Sequence, residues 1–134
     1  MAQNAKKTAY LKDARPVTVT VDGVDYALLP TLEKADAIEG AFNSPMEAAA
    51  LVSKLNRATT ARVLLSCSQD RVKPPEIKDL STTLMALPLE DRAEVAADTC
   101  KYLMWMAHGF QGTADNPGND NEGDENQESE EGNG

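Results

Sequence analysis

The chain is poor in the residues from which most sites are built: one histidine, two cysteines and one tryptophan, with aromatics at 4% of 134 residues. A single histidine cannot build a zinc site unless cysteines or acids stand at ligand spacing, and none do. His108 stands beside Gly109 at an expected helix end, where the dipole favours a cation and glycine gives an exit; it reads as a capping residue. Cys67 and Cys100 lie in apolar helical surroundings and read as buried free thiols of a reducing compartment. No phosphate-binding glycine loop is present, and Ser66-Cys67 lacks the context of a nucleophile elbow. No apolar run approaches membrane-spanning length, and Met1 to Lys12 is too polar for a signal peptide. These absences lead us to expect a cytoplasmic, non-catalytic protein with no cofactor, no metal and no membrane partner.

Basic residues are also missing from one end. From Gln111 onward eight acids face no base, and Ala114 is the one aliphatic residue. Such a segment cannot bury enough apolar surface to offset its ordering entropy, so 111–134 is expected to be a disordered acidic tail. Its Asp, Asn and Gly lack the register of a calcium loop. The remaining 14 acids and 13 bases leave residues 1–110 near neutrality, so the net charge of −9 belongs to the tail. Residues 1–15 carry Lys6, Lys7, Lys12 and Arg15 without aromatic interleaving. They are expected to form a flexible arm, and no nucleic-acid partner is expected.

Between arm and tail, residues 16–110 read as one small, mostly α domain of about four helices with an N-terminal β-hairpin. Val17 to Val21 alternates valine and threonine, Asp22-Gly23 supplies a tight turn, and Val24 to Leu28 resumes the strand. Tyr26 and Leu28 are expected on one face, and Val17, Val19 and Val21 on another. A lone hairpin is marginal in water, so it must lie on helices or pair with another chain. Thr31 can cap a helix through Phe42, striped by Leu32, Ala35, Ile38 and Phe42. Ser44-Pro45-Met46-Glu47 opens the next, expected to run to Gln69 with Asn56 and Thr59-Thr60 weakening its middle. Lys73-Pro74-Pro75 ends it, and Glu76 to Ala86 forms a third helix with Ile77, Leu80, Leu84 and Leu87 inward.

The last helix, from Leu89 to Phe110, organises the rest. Glu90, Asp91 and Glu94 suit its positive end, and Val95, Thr99, Tyr102, Leu103 and Met106 recur at helical spacing. Tyr102 to Met106 then gives five bulky residues in a row, which one packing face cannot bury. Either the fold covers the far side or a partner does. The candidate partner-binding set is Tyr102, Met104, Trp105, Met106 and Phe110, with Met104 and Trp105 expected to be partly exposed.

The order of elements resembles the lambda-type tail assembly chaperones of long-tailed phages. The likeness is carried by the early Val-Thr-Val-Thr strand, the Leu32–Phe42 helix, and the apolar helix ending Val63-Leu64-Leu65-Ser66. A proline-marked break, a closing helix with Ala93-Glu94-Val95 and a polar C-terminal end complete it. The very acidic end departs from that pattern. The resemblance implies a small helical protein of the host cytoplasm that binds the tape measure protein and assists tail tube assembly around it. It also implies a longer product made by a backward ribosomal slip. Glu131-Gly132-Asn133 is compatible with a slippery run if encoded GAG GGA AAC, although on the protein sequence alone Gly-Asn reads first as the continuation of a low-complexity tail.

Two other classes fit parts of the sequence. A structural virion component, such as a head-completion or tail tube protein, could use the hairpin to add a strand to a neighbour. An acidic DNA-mimic inhibitor would use the negative charge, but here that charge sits in a glycine-rich tail and not at fixed, phosphate-like spacing.

Overall fold

The computed structural model describes residues 15–69 and 75–118, so most of the expected arm, the Lys73-Pro74 stop and the tail from residue 119 lie outside the described residues. Strands β1 (Val17–Val21) and β2 (Val24–Leu28) form an antiparallel hairpin, followed by five helices. These are α1 (Leu32–Phe42), α2 (Pro45–Ser53), α3 (Arg57–Cys67), α4 (Ile77–Ala86) and α5 (Leu89–Ala107).

Asp22 and Gly23 both take positive φ, 52° and 81°, as the two-residue turn between Val21 and Val24 requires. Val19 pairs with Tyr26 and Val17 with Leu28. Cross-strand partners share a side of the sheet, so the two sets expected on different faces lie together. Val19, Val21, Tyr26 and Leu28 are all buried there, and Thr18 and Thr20 face out. The hairpin is laid on helices, with β1 against α5 and β2 against α3.

Three of the helix starts are fixed by side-chain caps. Thr31 accepts from the Lys34 amide at 3.3 Å, Ser44 from Glu47 at 3.1 Å and Asn56 from Thr59 at 2.9 Å. In place of a closed capping box, the Glu47 carboxylate accepts from the Asn43 side chain at 2.7 Å. On α1 Ile38 is buried and Ala35 and Phe42 pack against the core, but Leu32 is exposed and Lys34 is buried in its place.

The expected helix from Ser44 to Gln69 is two helices, which raises the count from four to five. Leu55 takes φ +62°, a left-handed conformation that no helix can continue through, and Asn56 then caps α3. The chain therefore turns, and α2 packs on α5 while α3 packs on α4. One core results, running from Val19 and Leu28 through Val52 and Leu64 to Leu103.

Candidate functional site: the two ends of α5

At its C-terminal end α5 is closed. His108 is the C-cap, and Gly109 follows at φ +67°. The Phe110 amide donates to Trp105 O and the Gly109 amide to Met106 O, both at 2.9 Å, which is a Schellman exit. This exit turns Phe110 back onto the helix. Its ring lies edge-on to Trp105 at 5.1 Å and tilted to Tyr102 at 5.9 Å. The Tyr102 hydroxyl donates to Leu29 O at 2.7 Å, tying α5 to the end of β2.

The five candidate residues are thus brought together, but as core. Tyr102, Met106 and Phe110 are buried, Trp105 is 2% exposed, and Met104 is half-buried against the same cluster. The expectation that Trp105 lies partly exposed fails, because the fold supplies the second layer itself. Part of that layer comes from residues 111–118, which composition assigns to the tail. Gly112 and Pro117 form an isolated bridge, the Gly118 amide donates to Gln111 O at 2.8 Å, and Lys101 pairs with Asp115 at 2.9 Å. Ala114 packs on the core. A Cβ on Gly118, at φ +80°, would come within 2.9 Å of His108 Nδ1, so the return passes directly over the capping histidine.

Burial keeps the thiols and the Tyr102 hydroxyl of this end neutral. Burial pushes the Cys67 thiol up to about 11, partly opposed by the nearby Tyr102 hydroxyl and the Lys34 charge. Burial also raises Tyr102, with Cys67 adding to the effect. Cys100 is half-buried and raised by burial, its thiol 3.5 Å from Ala49 O. Raised thiols carry little thiolate and are poor nucleophiles. Among the described residues no group of three His, Cys, Asp or Glu could hold a metal ion, and no described helix is long and apolar enough to cross a membrane.

Open surface lies elsewhere. At the α4–α5 corner Met85 is 57% and Leu89 62% exposed, and Pro88, Leu89, Glu90 and Ala93 line a shallow depression. The Arg57 guanidinium reaches the Met85 sulfur. A groove of about 410 Å³ follows β1 and α5, lined by Thr18, Thr20 and four acids: Asp22, Asp91, Glu94 and Asp98. It meets a second groove of about 420 Å³ at Thr18 and Asp98, where Trp105, Lys101 and Asp115 take over the lining. Sequence reasoning missed both features. The Asp91, Glu94, Asp98 spacing already places three acids on one helix face, and the two valine–threonine repeats put Thr18 and Thr20 outward.

Comparison of the chain with protein-family models, with curated proteins and with solved structures returns no match in any of the three.

Proposed function

We propose that this chain is a non-catalytic assembly chaperone of the phage-tail type, which covers amphipathic helices of a tape measure protein while tail tube subunits polymerise around it. The observation that supports this reading best is the bare apolar corner between α4 and α5, where Met85 and Leu89 stand in solvent. Met46 and Leu51 on α2 and Leu32 on α1 add further exposed apolar side chains. A tape measure chain presents long apolar stripes before assembly, and those stripes need cover. Methionine suits the task because its unbranched, polarisable side chain adapts to irregular partners. The resemblance in element order supplies the identity of the partner. The binding surface moves, however, from the buried Trp105 end of α5 to its exposed Leu89 end.

Co-expression with any long helical protein that is found encoded beside this gene tests the proposal. The two should co-purify, and Met85→Ser with Leu89→Ser should reduce capture about tenfold, a difference of about 1.4 kcal/mol, with the helical signal unchanged. Undiminished capture by the double variant would move the site away from this corner. Lack of any long helical neighbour, together with failure to bind an amphipathic helix, would overturn the chaperone reading.

A further inference from the structure

We propose that the open edge of β1 takes up an extended, lysine- or arginine-bearing peptide segment as a third strand, seated in the acidic groove between β1 and α5. Hairpin parity supplies the edge. Around a two-residue turn Val21 and Val24 exchange both backbone bonds, and Val19–Tyr26 and Val17–Leu28 do the same in register. Thr18 and Thr20 therefore direct their N–H and C=O groups away from β2. The far edge of the hairpin is covered at its end: around the Leu28–Ser68 bridge the Gln69 amide donates to Ala27 O at 3.1 Å and the Leu29 amide to Cys67 O at 2.9 Å. On the β1 edge, no described residue bonds the backbone of Thr18 or Thr20. An unpaired edge of this kind is a template for strand addition.

Charge selects the occupant. Asp22, Asp91, Glu94 and Asp98 line the groove beside Thr18 and Thr20, and among the described residues no base does. Three carboxylates along the α5 wall, with Asp22 at the hairpin turn, repel an acidic segment and favour Lys or Arg at alternate positions of an extended one. Where the groove continues, Trp105 lines it from beneath, almost wholly buried, and its indole N–H finds no acceptor among the described residues. A buried donor without a partner is costly, and a peptide carbonyl entering there would satisfy it. Arg15 and Lys101 also line that continuation, Lys101 already paired with Asp115, so the acidic stretch is the one along Asp22, Asp91 and Glu94. β1 has five residues, so the segment it can pair is about 17 Å long. This proposal does not rest on the chaperone reading: an extended partner here and a helical one at Leu89 are separated by different variants.

The test titrates the full chain with the heptapeptide Lys-Val-Lys-Val-Lys-Val-Lys at low salt and follows backbone amides by NMR. Thr18 and Thr20 amides should shift and become protected from exchange, with saturation by about 1 mM peptide. Thr18→Pro removes an edge N–H without touching the β1–β2 ladder, and should weaken binding about tenfold, as loss of an edge bond does. Should that variant misfold, the same peptide with alternate amides N-methylated keeps the charge, loses the main-chain bonds and must bind as weakly. Neutralising the wall with Asp91→Asn, Glu94→Gln and Asp98→Asn should weaken binding and flatten its salt dependence. Absence of binding, or binding indifferent to Thr18→Pro and to N-methylation, overturns the proposal. Concentration-dependent shifts of Thr18 and Thr20 without peptide would instead make the occupant a second copy of this chain, and would overturn it too.

Discussion

At its C-terminal end α5 carries Tyr102, Trp105 and Met106 into a core closed by Phe110 and residues 111–118, whereas at its N-terminal end Leu89 stands in solvent beside Glu90 and Asp91. Read as a pattern, the first end is the one that looks too apolar to be covered. The difference lies in what comes next in the chain. The C-terminal end is followed by a left-handed glycine that returns Phe110 onto the helix; the N-terminal end is preceded by Leu87-Pro88, which turns α4 away. Burial at a helix end is decided by the connection as much as by the helix.

Trp105→Ala breaks the comparison most directly. Loss of a buried indole should cost about 3–5 kcal/mol, read as a fall in the urea midpoint at unchanged slope. A loss below about 1 kcal/mol would show that this end is not closed.

Alkaline titration probes the same core without mutation. The Cys67 thiol ionises near 9.0 when exposed and near 11 in the fold, so above pH 9 the unfolded chain loses its proton first. Stability is full below pH 9 and falls as the pH rises towards 11, by about 2–3 kcal/mol in all. Tyr102, also raised by burial from 10.0, adds to the slope above pH 10. The share of Cys67 is therefore read between pH 9 and 10 as the difference from Cys67→Ala, which keeps only the shallower slope of the half-buried Cys100.

Shortening the chain sharpens the part played by the return. Ending it after Gly118 should leave the thermal midpoint unchanged, whereas ending it after Phe110 strips Ala114 and the exposed Lys101–Asp115 pair from over Trp105. On the order of 1 kcal/mol should be lost, nearly all from uncovered apolar surface, because exposed ion pairs contribute little. Equal stability of the two products would mean that 111–118 only rests on the helix.

The smallest effect belongs to the open end. Leu89→Ser should change stability by less than about 0.5 kcal/mol, since the side chain leaves solvent in neither state. A larger loss would mean that Leu89 is covered in solution.

These contrasts also mark what was legible in the sequence. The hairpin was, because Asp22-Gly23 permits few other turns, and so were the starts of α1 and α2 at Thr31 and Ser44. The break at Leu55 was not: a leucine in left-handed geometry has no propensity signal, and Asn56 alone suggested only a weakened helix. The cover over Trp105 was hidden for a different reason. Residues 111–118 are polar, and they hold their place by backbone bonds, one ion pair and one alanine, none of which shows as an apolar period. With that cover unseen, the bulky run from Tyr102 to Met106 looked like surface.

The position of α5 in the chain has a consequence for synthesis. β1 and α2 both pack on a helix that begins at Leu89, so α2 lacks its main partner, and the hairpin its cover on the β1 side, until the last described helix has left the ribosome. At about 5–20 residues per second, the roughly 54 residues from the end of α2 to the end of α5 impose a delay of about 3–11 s. During that interval Val19, Val21 and Val52 have no α5 to cover them. The hairpin and α2 must therefore wait for α5, while α3 and α4, neighbours in the chain, can pair before it is made.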